Sequence, residues 1–191
     1  MKNYTYPNRT ITASIISGNY LYLGVTDSVE DTCYLLKCSA FDPSIVYYEL
    51  EITATEITRI MVGGLNLYLC LDDDTNLAVQ VVISTMVATY LAIPLGITEP
   101  SVDLINDDTY LYFLIGGSIT SIILVDYSAF TFVSTLTLDE SGQLVSNAKR
   151  IDIDNSNSLW IYTSNTPPEV IKLVIESAYG IVYTQYSLSG A

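Results

Sequence analysis

Leu67-Tyr68-Leu69-Cys70-Leu71 is a run of five apolar residues that stops at Asp72-Asp73-Asp74. Related pentapeptides stand at Leu21-Tyr22-Leu23-Gly24-Val25, Leu111-Tyr112-Phe113-Leu114-Ile115 and Leu159-Trp160-Ile161-Tyr162-Thr163, with leading leucines 46, 44 and 48 residues apart. A second anchor follows each at an offset of 18, 17, 17 and 18 residues: Ser39-Ala40-Phe41, Ser84-Thr85-Met86, Ser128-Ala129-Phe130 and Ser177-Ala178-Tyr179. Two anchors keeping step four times define a tandem repeat of roughly 46 residues.

Each repeat divides into four short segments rich in β-branched and aromatic residues, separated by Gly, Asn, Asp, Ser or Pro, and no stretch carries a helical period. The first segment closes on Ile15, Met61, Ile105 or Ile153, and the pentapeptide forms the second. The third places Leu36, Val81, Val125 and Val174 in one column. The fourth covers 45–52, 87–95, 132–138 and 181–188. Four antiparallel strands repeated at this period predict an all-β fold, a small β-propeller with blades at about 10–53, 54–98, 99–143 and 144–188 of a single domain, 1–191. Either a four-bladed ring or a part-ring completed by another chain satisfies that pattern. A blade packs between neighbours, so apolar residues are expected on both of its faces rather than in strict alternation.

The chain resembles the broad group of propeller repeats that includes the YVTN, NHL and kelch-like families. Asp154-Asn155-Ser156-Asn157-Ser158-Leu159-Trp160-Ile161 is similar to the turn and second strand of such repeats, and Val125-Asp126-Tyr127-Ser128-Ala129-Phe130 to their third strand and following turn. The resemblance implies an architecture and no particular activity.

Half of the 191 residues are apolar, and 21 acids against 7 bases give a net charge of −14. That field repels nucleic-acid phosphates and anionic membranes, so a basic, cationic or neutral partner is expected. Leu77 to Ile97 contains no charged residue, but Gln80, Pro94 and its place in the repeat argue for strands instead of a membrane span. No apolar core of a secretory signal follows the Met1-Lys2-Asn3-Tyr4 start, and localisation is unknown, with a virion or extracellular assembly favoured. Cys33, Cys38 and Cys70 lack a metal-type spacing and read as core thiols.

Histidine is absent, which removes the commonest general base and zinc ligand. Asp72-Asp73-Asp74 and Asp107-Asp108 read as strand ends, and Asp152, Asp154, Asn155 and Asn157 as a structural turn instead of a calcium loop. The expectation is a structural or protein-interaction module, a virion or surface-assembly component among the options, with no enzymatic activity, metal or cofactor. The alternative is a propeller that binds a glycan or cation. In a propeller the loops from strand two to three and from blade to blade share one rim. Here they hold Asp27, Glu30, Asp31, Asp72, Asp73, Asp74, Asp139 and Glu140, so that acidic rim is the expected docking surface, and either a protein partner or self-association is expected.

Overall fold

The computed structural model describes residues 8–30, 32–118, 120–140, 143–144, 146–156, 158–165, 168–176 and 180–187, and among them there is no helix. The chain forms two compact units, Met1–Ile97 and Thr98–Ala191. In the N-terminal unit the first sheet is β1 (Arg9–Ser17), β2 (Tyr20–Asp27), β3 (Thr32–Ser39) and β4 (Val46–Ile52), and the second is β5 (Glu56–Gly63), β6 (Asn66–Asp72), β7 (Asn76–Val82) and β8 (Val87–Ala92). In the C-terminal unit the third sheet is β9 (Ser101–Asn106), β10 (Tyr110–Ile115), β11 (Ser121–Asp126) and β12 (Thr131–Thr137). A two-residue hairpin, β13 (Asp139–Glu140) with β14 (Gln143–Leu144), precedes the fourth sheet, β15 (Ala148–Ile153), β16 (Ser158–Thr163), β17 (Glu169–Glu176) and β18 (Gly180–Ser187). Every four-stranded sheet is antiparallel and runs in sequence order. The pentapeptides lie in the second strands, as their pattern predicts.

Because side chains alternate across a strand, each pentapeptide serves two faces. In the N-terminal unit Tyr22 of the first sheet packs with Leu67, Leu69 and Leu71 of the second, joined by Cys33, Leu35, Ile57, Val79 and Val81. Leu23 and Val25, on the opposite face of β2, are buried as well. The C-terminal unit repeats the scheme, with Tyr112 and Leu114 of the third sheet against Leu159 and Ile161 of the fourth. The outer strands carry much less of the core: β4 exposes five of its seven residues.

Every first strand is bulged opposite the last two pentapeptide residues. Thr12, Thr58, Val102 and Lys149 are the extra residues, each skipped by the pairing on β2, β6, β10 and β16. The Thr12 bulge turns its hydroxyl toward the second sheet, where it donates to Ile57 O at 2.8 Å. In the C-terminal unit the buried Asp103 carboxylate accepts from Ile151 N at 3.1 Å and ties β9 to β15.

The hairpins entering the second strands differ between the units. Gly18 and Gly64 both sit at φ 57° in two-residue turns, a conformation that glycine adopts without a Cβ penalty. In the C-terminal unit an aspartate organises the turn. Asp107 Oδ1 accepts from Thr109 N and Tyr110 N while Oδ2 accepts the Tyr112 hydroxyl at 2.7 Å. Asp154 Oδ1 accepts from Ser156 N and Ser158 N while Oδ2 accepts from Trp160 Nε1 at 3.0 Å. Burial, then the bond to Asp107, drives the Tyr112 hydroxyl pKa far above its ordinary range.

The expected column of the third strands needs correction. The leading leucines Leu21, Leu67, Leu111 and Leu159 face Cys38, Val81, Val125 and Leu173, so Leu36 and Val174 are two and one positions out of the predicted column. For Leu36 the reason is a longer β2–β3 hairpin, which also makes Ser39 the end of β3 opposite Tyr20, whereas Ser84 and Ser128 lie in turns. The fourth sheet keeps the spacing of the second and third, with Leu173 in the place expected for Val174. Leu77 to Ile97 is occupied by β7, β8 and their flanks, and no helix among the described residues is long and apolar enough to cross a membrane.

Candidate functional site

The predicted acidic rim is only partly available for docking. Asp27 is 8% exposed and closes its own turn, accepting from Val29 N and Glu30 N and pairing with Arg9 Nε at 3.2 Å. The amide of Val29, foremost, holds its pKa below the usual carboxylate range. Glu30 accepts the Tyr34 hydroxyl at 2.8 Å, and Asp73 accepts from the backbone and side-chain nitrogens of Asn76. Asp72 and Asp74 are exposed, and neither carboxylate has a partner among the described residues. Thr55 bridges the two turns, its N–H donating to Asp72 O and its carbonyl accepting the Thr26 hydroxyl, so Asp27 and Asp72 share one end of the N-terminal unit. Asp139 and Glu140 form β13 in the other unit, and Asp31 lies outside the described residues. Among the described residues no three Asp, Glu or Cys side chains gather as a metal ligand set.

At the opposite end of the N-terminal unit is a recess of about 170 Å³, lined by Tyr20, Lys37, Tyr47, Tyr48, Ser84, Thr85 and Met86. Its construction follows from strand register. Lys37 on β3 stands between Tyr22 on β2 and Tyr48 on β4. Tyr47 is the bulge residue of β4, skipped between the pairs Lys37–Tyr48 and Cys38–Val46, and the bulge brings two consecutive tyrosines to the same recess instead of to opposite faces. Tyr20 meets Tyr47 edge to face, with ring centroids 5.7 Å apart and an interplanar angle of 86°. The floor on the second sheet is the β7–β8 turn. Met86 takes φ 54° there, and its N–H returns to Val82 O at 2.7 Å, leaving the Ser84 and Thr85 side chains exposed.

Lys37 gives the recess its charge. The half-buried ammonium lies 4.3 Å from the Tyr20 ring centroid and donates to Ile83 O at 3.2 Å, with no carboxylate partner among the described residues. Arg9, by contrast, pairs with Asp27 and Glu49, and Lys172 with Asp154. The hydroxyls of Tyr20, Tyr47 and Tyr48 likewise have no hydrogen-bond partner among the described residues. Beside Tyr20, with ring centroids 6.4 Å apart, the buried Tyr22 hydroxyl is unpartnered too. These residues were missed in the sequence. The available signals were a lysine inside the apolar run Tyr34-Leu35-Leu36-Lys37-Cys38 and the doubled Tyr47-Tyr48, but a bulge is needed to bring them together.

A second recess, in the C-terminal unit, is lined by Asp152, Ile153, Asp154, Trp160 and Tyr162. Asp154 is already committed to its turn and to Trp160, with its pKa lowered chiefly by the Ser158 amide, which leaves Asp152 as the acid of this recess without a charged partner among the described residues.

No protein-family model matches the sequence, and no curated protein matches it. Solved structures do match in fold. The β-propeller domain of Cps50 (Swd1) from Myceliophteria thermophila has a TM-score of 0.63 at 10% identity, covering 92% of this chain and 58% of that one. AztD from Citrobacter koseri has a TM-score of 0.60 at 11% identity, covering 94% and 47%. The chain is thus an all-β protein of β-propeller architecture, spanning about half the length of the solved structures it matches. At such identities the likeness concerns the fold alone.

Enzymes are also among the matched structures, and the expectation of no enzymatic activity is withdrawn, because one propeller architecture carries catalytic and non-catalytic functions alike. These enzymes are the glutaminyl cyclase of Myxococcus xanthus (TM-score 0.49, 12% identity, covering 87% of this chain and 66% of that one) and the dihydro-heme d1 dehydrogenase NirN (0.45, 9%, 94% and 47%). A propeller is a scaffold whose chemistry resides in its loops, and lacking histidine removes only the mechanisms that need it. Neither match assigns a reaction to this chain.

Proposed function

We propose that the chain is a propeller-type binding module whose N-terminal unit takes a small anionic ligand in the Lys37 recess. The carrying observation is a half-buried ammonium without a carboxylate partner among the described residues, in a chain with three times as many acids as bases. One donor of Lys37 is used by Ile83 O, and an ammonium has three. A hydrogen bond to a charged group contributes about 1.5–3 kcal/mol, roughly ten- to 150-fold in affinity. Amide NMR of the full chain, titrated with sodium acetate against sodium chloride at constant ionic strength, tests the reading. Saturable acetate-specific shifts at 37, 47, 48 and 84–86, abolished by Lys37→Gln, support it. Their absence at tens of millimolar refutes it.

A second reading keeps the acidic end as a protein-docking surface, and the exposed, unpartnered Asp72 and Asp74 favour it. A role in a virion or surface assembly belongs to this reading. Its signature is salt-sensitive association lost when Asp72, Asp73 and Asp74 become Asn; association unchanged at low salt removes it. In either reading the four repeats act as one domain, 1–191. A single cooperative calorimetric transition supports that arrangement, and two separated transitions refute it.

A further inference from the structure

The anion-binding reading leaves five hydroxyls of the recess unexplained. Tyr20, Tyr47 and Tyr48 provide phenols, and Ser84 and Thr85 provide aliphatic hydroxyls from the turn opposite. Each both donates and accepts, as the hydroxyls of a sugar do. The tyrosine rings add apolar surface against which the C–H face of a pyranose can lie, and Tyr47 and Tyr48 remain 57% and 44% exposed. The recess, about 170 Å³, is smaller than the roughly 300–1,000 Å³ of pockets for drug-sized ligands. It is the scale of one ring.

Charge narrows the choice further. A phosphate dianion is best held by a bidentate Arg fork or several cations, and this recess has one lysine. A polyanion would meet the net charge of −14. A divalent cation would need carboxylates, and none lines the recess. What remains is a monoanion bearing many hydroxyls.

The third sheet provides an internal comparison. Its β12 has the same bulge at Val133, skipped between the pairs Leu124–Ser134 and Val125–Phe132, and Leu124 faces Tyr112 as Lys37 faces Tyr22. Leucine, valine and serine therefore stand where the first sheet has Lys37, Tyr47 and Tyr48. The bulge is shared by the first and third sheets only. In the second and fourth, Gln80 and Lys172 face Tyr68 and Trp160 at the matching position, but the last strand has no such bulge. Among the described residues only the first sheet therefore combines the lysine, the bulge and two adjacent tyrosines.

We infer that the recess binds an acidic sugar, a single pyranose residue bearing one carboxylate, with the carboxylate on Lys37 and the ring against Tyr47 and Tyr48. This inference rests on the anion-binding reading above. Methyl β-glucuronoside, methyl β-glucoside and acetate, each titrated into the full chain by calorimetry and amide NMR, separate the two. Glucuronoside should bind at least about tenfold tighter than either other probe, the equivalent of one charge-assisted or one well-placed neutral contact set. Lys37→Gln should reduce it to the level of glucoside, and Tyr47→Ala should weaken glucuronoside more than acetate. Ser84→Ala with Thr85→Ala, in an exposed turn, should also weaken it and guards against a folding defect in the other variants. Equal affinities for glucuronoside and acetate would overturn the sugar inference while anion binding stands. Equal affinities for the two glycosides would overturn the role of the carboxylate, and no binding of any probe would overturn both readings.

Discussion

Gly24→Ala tests how the first two sheets are joined, because packing and local propensity predict opposite signs. Gly24 is the fourth residue of its pentapeptide, where the other repeats have Cys70, Leu114 and Tyr162. A Cβ placed there would lie 2.9 Å from Ile57 Cβ and 3.1 Å from Ile57 Cγ2. Both atoms are close to the backbone of β5, so no flexible side-chain end can swing away. Thr12 spans the same junction, its hydroxyl donating to Ile57 O at 2.8 Å with Gly24 O at 3.3 Å. Gly24 is not among the positive-φ glycines, so alanine meets no backbone strain of its own. On local grounds the substitution should stabilise the fold by about 0.4–1 kcal/mol through the unfolded state. Overpacking costs about 1–3 kcal/mol and occasionally more, and with backbone-proximal atoms in the way it should dominate. The expected net loss is about 1–2 kcal/mol, read from urea denaturation at unchanged m-value, with Tm lower by roughly 2–8 °C. Adding Ile57→Ala to the variant should cost less than Ile57→Ala alone, since the deleted atoms relieve the clash. A Gly24→Ala protein as stable as the parent, or more stable, would refute this account of the junction.

Acid should destabilise the fold through Asp27, Asp126 and Asp154. Their pKa values are lowered in the folded protein, first by the amides of Val29, Ala129 and Ser158 respectively. A depressed folded pKa contributes stability above the unfolded value of about 3.9, and that contribution disappears as pH falls through the folded values. Denaturation midpoints measured from pH 6 downward should fall steeply below about pH 4, and less steeply in Asp126→Asn; identical acid slopes would count against the assignment. The buried thiols should resist modification, with Cys33 pushed up to about 11, chiefly by burial. A disulfide thiol probe should therefore react with Cys33, Cys38 and Cys70 only when denaturant is added, and rapid native reaction would contradict their burial. Leu111→Asp should prevent folding, because Leu111 is 0% exposed in β10 and an unpaired buried carboxylate consumes a large part of the about 5–15 kcal/mol margin. Normal thermal stability of that variant would show the register to be wrong.

The repeat, its four strands and their antiparallel order are legible in the sequence because they depend on local chemistry. An apolar pentapeptide must be buried on both faces, and the Gly, Asn, Asp and Ser clusters between segments can turn the chain tightly. Turn aspartates were legible as turn residues for the same reason, although the bonds from Asp107 to Tyr112 and from Asp154 to Trp160 were not. Column assignments were less secure. The extra length of the β2–β3 hairpin puts Cys38, not Leu36, in the column of Val81 and Val125, since serine spacing measures chain length and not pairing.

The recess was decided by tertiary structure. Alternation assigns Tyr47 and Tyr48 to opposite faces of β4, and only the bulge against β3 sends both toward Lys37. Ser84 and Thr85 come from the next sheet, 36 or more residues away along the chain, and reach the site because the two sheets pack on Tyr22, Leu67 and Leu69. Composition likewise marked the acids as the available surface, but folding committed Asp27, Glu30 and Asp73 to partners and left the half-buried Lys37 without a carboxylate partner among the described residues. A sequence states which charges exist. Which of them are neutralised depends on distances of a few ångströms between strands, and those are set by register, bulges and sheet packing.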